Sequence, residues 1–354
     1  MNFLDALHTA HKSLMSNIRL KWRRIIPSRP VFAVTLPALV VWCIWYTYTQ
    51  PFSLQFVLQH WQISLTMVFG SIIAGATSVG GGAIAFPVLT KVLHIAPLDT
   101  KIFSLAIQSI GMTTASLTII LMRVPVEWRV IIWASIGGCF GVCYSAIYLA
   151  PLLNAALLKM LFSSMVFSFA LTLILILLNS KQRVYNRYLP SCGVSEISIL
   201  LLMGFIGGVM TGLLGNGIDI VCFSIMVLLF RLSEKVSTPT SVILMAINAL
   251  VGFALHSCYI GSFSDKIEAY WLAAIPIVVL GAPLGAFFCT LLNNKTISII
   301  LIVLISIESI SSLILIPLTT EIIVLSSTVF IGFSFIYFRI SRLVGYSSVE
   351  GKLL

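Results

Sequence analysis

Two glycine clusters, Gly80-Gly81-Gly82 and Gly215-Asn216-Gly217, stand 135 positions apart, and each precedes a short apolar run, 83–93 and 218–231. A chain that turns at glycine can present the free N–H groups of the helix that follows. With the positive end of the helix dipole, those groups suit an oxyanion. Neutral donors cluster nearby: Thr77 and Ser78 before the first glycines, Ser104, Gln108 and Ser109 after them, and Thr240, Ser241 and Asn248 after the second. Hydroxyls and amides orient an anion without the trapping strength of a buried arginine, although a Ser or Thr on a helix commonly bonds back to its own backbone. Asp219, two residues into the second short run, either caps that helix itself or carries a coupling proton. Glu308 lies within an apolar run beside Ser306, Ser309, Ser311 and Ser312 and is a second coupling candidate, with a bundle-facing hydrogen-bonded role as the alternative. His256 reads as an interface residue, and Lys159 as a side chain that snorkels to the headgroups from a helix start.

Other chemistries find less support. The seven cysteines show no metal-ligand spacing, and six of them lie in apolar runs as small packing residues. His94 and Asp99 have the H-x-x-x-x-D spacing of membrane acyltransferases, but Pro97 lies between them and no segment could form a domain for an acyl carrier. The acids in apolar runs are single and dissimilar, unlike the paired acids of intramembrane proteases. No G-x-x-x-x-G-K-[ST] occurs, so ATP hydrolysis by this chain is not expected. We therefore expect no catalytic residue, no cofactor and no metal.

The elements that must position these residues are membrane helices. Charged residues make up 9% of the 354, against about 25% in a soluble domain, while 59% are hydrophobic and the mean hydropathy is +1.08. The apolar runs fall near 31–48, 62–79, 83–93, 101–122, 130–150, 155–178, 197–214, 218–231, 238–260, 269–292, 296–316 and 320–338. A span needs about 20 residues, so 83–93 and 218–231 read as half-helices. The net charge of +10 reflects topology rather than nucleic-acid binding: Lys12, Arg19, Lys21, Arg23, Arg24 and Arg29 precede the first run as a basic cytoplasmic anchor without a cleavage site. If each half-helix folds back, 17 basic residues lie inside and three outside (Lys91, Lys101 and Lys266); simple crossings give 14 and six. Folding back makes the two glycine clusters enter from opposite faces, the inverted-repeat plan of many secondary transporters, with a parallel repeat as the alternative. The G-x-x-x-G pairs Gly137/Gly141 and Gly281/Gly285, 144 positions apart, add a second repeated feature.

The stretch from Gly75 through Gly80-Gly81-Gly82 to Pro87 resembles the signature of the TauE/SafE sulfite exporter family. Gly204 to Gly217, followed by Pro239-Thr240-Ser241, resembles its second motif, and the resemblance covers roughly residues 62–338. This chain differs in Asn216, which interrupts the second triplet, in Cys222, which stands where the first half has Pro87, and in Leu105 and Ala106, which stand opposite Thr240 and Ser241. The resemblance implies export of sulfite, a sulfonate or a related small oxyanion across a bacterial inner membrane. An anion channel or an uptake permease of the same fold is the alternative, with proton or sodium coupling left open.

The expected architecture is thus an all-α polytopic membrane protein of two pseudo-equivalent, inverted repeats with glycine-broken helices. It comprises a basic segment (1–30), an extra helix (31–48), repeats at 62–178 and 197–316, and a final helix (320–338). The N-terminus is expected in the cytoplasm. The expected binding residues are Thr77, Ser78, Gly80, Gly81, Gly82, Gln108, Gly215, Asn216, Gly217, Thr240 and Ser241, with Asp219 and Glu308 for coupling. The expected partners are a small anion and the lipid bilayer, with no nucleic acid.

Overall fold

The computed structural model describes residues 28–51, 53–80, 88–178, 185–186, 188–189 and 193–342. The basic anchor up to residue 27 and Gly81 and Gly82 lie outside the described residues. Twelve α-helices are described: α1 (Ser28–Thr49), α2 (Ser53–Gln59), α3 (Trp61–Ala76), α4 (Pro97–Leu121), α5 (Trp128–Tyr144), α6 (Ala155–Leu178), α7 (Val194–Leu214), α8 (Ile218–Leu228), α9 (Glu234–Ala254), α10 (Asp265–Leu291), α11 (Asn294–Leu315) and α12 (Thr320–Arg342). Wide π-type turns occupy Val88–Val92, Ser145–Leu149 and Leu255–Tyr259. Among the described residues there is no strand, only an isolated bridge between Asn186 and Leu232.

Nine of these helices are long and apolar enough to cross a membrane. At about 1.5 Å per residue, the 11 residues of α8 reach only about half of a hydrocarbon core. Every residue of α8 is buried, so its backbone ends are screened from lipid by the surrounding helices. By contrast α12 exposes most of its apolar surface, as a helix against acyl chains would.

Glycines set how closely the helices approach. A Cβ on Gly137 would meet the backbone of Leu201, and one on Gly141 that of Phe205, so α5 lies directly against α7. In the same way Gly281 and Gly285 of α10 face Ser71 and Ile72 of α3. Small residues that let backbones touch replace the missing hydrophobic drive between helices in lipid. In both pairings two glycines four residues apart bring one helix against the other at close range. At the centre α4 packs on α9, and at the periphery α6 packs on α11.

The first helix is held by a device that proline creates. Pro37 and Pro276 lack the N–H that would bond the carbonyls four residues earlier, those of Ala33 and Leu272. Thr118 Oγ1 of α4 donates to Ala33 O at 2.9 Å, and Trp45 Nε1 of α1 donates to Leu272 O at 2.9 Å. Trp42 Nε1 adds a bond to Pro276 O at 2.9 Å. Each kink thus offers an acceptor, and a neighbouring helix fills it, as an apolar surround requires.

Candidate functional site

The interruption between α7 and α8 is built around Gly215, whose φ of +86° is a conformation that side chains disfavour. Its N–H donates to Thr211 O at 2.8 Å, which closes α7. The carbonyl ends of α7 point at α4 and are met there: Gln108 Nε2 donates to Gly215 O at 3.0 Å, Ser104 Oγ to the same oxygen at 3.2 Å, and Lys101 Nζ to Gly212 O at 3.1 Å. A cation at the carbonyl end of a helix also complements its dipole. Lys101, which the charge count places at the outer end of the run 101–122, is 5% exposed and serves as a clamp on α7. A helix whose last carbonyls face protein rather than lipid recruits whatever donor its neighbour carries at that level, and on α4 that donor is a lysine.

The start of α8 is partly satisfied from within. Thr211 Oγ1 accepts from Ile218 N at 2.9 Å, and Asp219 Oδ1 accepts from Ile220 N at 2.9 Å. Asp219 is 1% exposed, and its second oxygen has no hydrogen-bond partner. Gln108 is similar: its amide nitrogen serves Gly215 and Ser104, while its buried Oε1 has no partner. Both spare oxygens converge on Gly80. A Cβ there would stand 3.0 Å from Asp219 Oδ2, 3.7 Å from Gln108 Oε1 and 4.0 Å from Asn216 Nδ2. Gly80 itself has a φ of +69°. The described end of the first glycine cluster therefore meets the second cluster, with α4 supplying the amide between them.

A cavity opens beside this junction. Its atom-free space, counted to the open mouth, is about 610 Å³, and its polar lining comprises Ser71, Thr100, Ser104, Gln108, Asn216 and Lys159. Apolar residues of α3, α4 and α10, with Leu89 and Leu214, form the remaining walls. A second cavity is lined by Gly75, Ile119, Lys235, Thr238, Cys289 and Thr290 among others. The same three helices run past both. Met112 closes the first and Ile119 opens the second, seven residues further along α4 or about 10 Å. Between them Gly75, which lines the second, lies against the backbone of Ala282, which lines the first.

The structure sorts the predicted residues. Gly80, Gln108, Gly215, Asn216 and Asp219 come together at the junction. Ser78 touches Ser241 of α9, with hydroxyls 2.9 Å apart, and Ser241 also bonds Thr238 O at 2.8 Å. Thr77 bonds back to Ile73 O at 2.8 Å. Thr240 also bonds back, to Val236 O at 2.6 Å, and accepts Glu127 N at 3.0 Å, so it braces the start of α5 and does not line the cavity. Gly217, with a φ of +145°, precedes α8 against Met210 and Phe162. His256 is buried, with Nδ1 2.7 Å from Ser262 Oγ. Asp99 pairs with Lys266 at 3.7 Å rather than with His94.

Lys159 overturns its expectation. It is 7% exposed and pairs with Glu308 at 2.5 Å instead of reaching the headgroups. Its place four residues into α6 suggested snorkelling, but α11 presents an acid at the same depth, and a buried pair outcompetes a long reach to water once both charges face inward. Glu308 Oε1 also accepts from Ser163 Oγ at 3.0 Å and Ser312 Oγ at 3.3 Å.

A bundle with nine long apolar helices among the described residues, a buried glycine junction and a cavity lined by hydroxyls, amides and one lysine has the form of a membrane transporter. The family described as Sulfite exporter TauE/SafE matches residues 63–311, and the chain belongs to that family. It is therefore a multi-pass membrane transporter for a small molecule and not an enzyme. The match takes in α3 to most of α11 and stops short of the expected end at 338, leaving out α1, α2 and α12. No curated protein and no solved structure matched the chain.

Proposed function

We propose that the protein exports sulfite or a related small organosulfur oxyanion across a bacterial inner membrane, with its N-terminus in the cytoplasm, by alternating access. The observation that carries the reading is the cavity at the α7–α8 junction, where the hydroxyls of Ser71 and Thr100, which have no hydrogen-bond partner, and the amide of Asn216 stand among apolar walls beside a lysine. Neutral donors that hydrogen-bond a pyramidal oxyanion, without a cluster of arginines to trap it, suit a site that must release its cargo.

The two halves are read as inverted repeats, 62–178 and 197–316, flanked by the helices near 31–48 and 320–338. The reciprocal packing of α5 on α7 and α10 on α3 supports this pairing. So does the exchange at the junctions, where α4 serves Gly215 and α9 serves Ser78. In this reading Ser78, Gly80, Gln108, Gly215, Asn216 and Ser241 lie closest to the anion, Thr77 and Gly217 shape the backbone beside them, and Thr240 acts only through the start of α5. The two stacked cavities support alternating access: each would be the vestibule of one membrane face, separated where Gly75 meets Ala282. Asp219 and Glu308 are the coupling acids, and the spare oxygens of Asp219 and Gln108 around Gly80 would take a proton or a sodium ion. An inside-negative potential favours anion exit by about 2.3 kcal/mol per charge per 100 mV, so export can also run without a coupling ion.

The test is release of sulfite from liposomes containing the purified protein, with and without an imposed proton gradient, beside Asp219→Asn. Saturable release that responds to the gradient in wild type and loses that response in the variant is the expected result. Absence of release under any gradient, from folded protein, would overturn the substrate assignment.

A further inference from the structure

We infer that Lys159 is the cationic anchor for the transported anion, and that Glu308 is its internal counter-ion, occupying the ammonium group whenever the cavity holds no anion. This inference rests on the anion-transport reading above and assigns the charge partner that the reading leaves open.

The argument starts from position. Lys159 belongs to α6, yet it lines the cavity formed chiefly by α3, α4 and α10, where it is the one charged residue among the lining residues described. A lysine kept 7% exposed at membrane depth needs compensation, and Glu308 of α11 supplies it at 2.5 Å. The pair is electrically neutral, so the cavity does not hold an open positive charge against the apolar walls.

The carboxylate is built to survive the loss of its lysine. Ser163 Oγ and Ser312 Oγ both bond Oε1, at 3.0 and 3.3 Å, and the two hydroxyls are themselves 3.0 Å apart. When an oxyanion takes the ammonium group, these hydroxyls still hold Glu308, so the exchange does not strand a bare carboxylate. Oε2 of Glu308 is buried without a partner, so the second oxygen is not committed to a structural network. A purely structural pair would be expected to satisfy both oxygens, as Glu127 does by binding Arg129 through Oε1 and Leu189 N through Oε2. The ligand class follows from the geometry. A single ammonium group in one cavity with the unpartnered hydroxyls of Ser71 and Thr100 and the amide of Asn216 fits a small oxyanion with one full charge and further acceptor oxygens, such as a sulfite or sulfonate group.

The experiment uses purified full-length protein with sodium sulfite, sodium methanesulfonate and sodium chloride. It reads ligand-dependent thermal stabilisation in detergent and efflux from proteoliposomes. Lys159→Gln should weaken the apparent affinity for sulfite by at least about tenfold, the loss of one charge-assisted bond. Lys159→Arg should retain most of it. Glu308→Gln should strengthen binding several-fold, because the competitor for the ammonium group is gone. The double variant Lys159→Gln/Glu308→Gln should bind as weakly as Lys159→Gln alone, and it buries no lone charge if the single variant fails to fold. Unchanged affinity in folded Lys159→Gln or in the double variant, or Glu308→Gln weakening binding as much as Lys159→Gln, would overturn the inference. Wild-type sulfite efflux that ignores Lys159 would leave the export reading standing and remove the anchor. Lysine-dependent stabilisation by methanesulfonate without any sulfite efflux would keep the anchor and remove the sulfite assignment. No stabilisation of wild type by either oxyanion over chloride would remove the anchor.

Discussion

At the scale of single residues, the junction depends on Gly215 and Gln108. A Cβ at Gly215 would stand 2.8 Å from Lys101 O and 3.1 Å from Ser104 Cβ, and the φ of +86° adds backbone strain. Gly215→Val should therefore insert into the membrane but lose transport, checked by proteoliposome flux alongside surface expression. Flux near wild type would show that the junction tolerates displacement of α4. Gln108 was legible as a neutral donor near the glycines, and the structure gives it the specific task of holding Gly215 O. The two lysines were not legible. In the sequence Lys101 and Lys159 are single cations near the ends of apolar runs, the usual mark of a membrane boundary. Which way such a side chain turns depends on whether a neighbouring helix offers a carbonyl or a carboxylate at the same depth, and that neighbour is over 100 residues away for both.

At the scale of elements, α1 shows how a kink can become an attachment. Its outer surface is exposed and apolar, and its inner surface is fixed by side-chain bonds to carbonyls that prolines left open. Thr118→Val removes the donor to Ala33 O while preserving shape, leaving a buried carbonyl unmet at a cost of about 1–3 kcal/mol. We expect the variant to unfold at a lower temperature in detergent, with transport little changed because Thr118 does not line the cavity. An unaltered unfolding temperature would mean that the contact is not a determinant of α1 docking. Most of the elements were readable from hydropathy alone: the spans near 130–150, 197–214 and 296–316 correspond to α5, α7 and α11. The half-helix at 218–231 appears as α8, whereas its partner run at 83–93 is described only from Val88 onward.

At the scale of the whole molecule, two cavities stacked along α3, α4 and α10 predict opposite accessibility. Cys289 lines the cavity that contains Lys235, and Ser104 lines the cavity that contains Lys159. With the other six cysteines replaced and the proposed orientation, a membrane-impermeant thiol reagent should reach Cys289 from the cytoplasmic side. It should reach Ser104→Cys, in a chain also lacking Cys289, from the outer side. Labelling of both from one side would contradict separate vestibules. The sequence by itself determined that this chain lives in a bilayer, where its helices run and which family it belongs to, because hydropathy and short motifs are local properties of the chain. Only the tertiary structure decided that Thr240 braces a loop, that Asp219 and Gln108 leave oxygens open around Gly80, and that Lys159 faces a cavity paired with Glu308. Those outcomes are set by which helices become neighbours, and buried polar groups take the partners their neighbours supply.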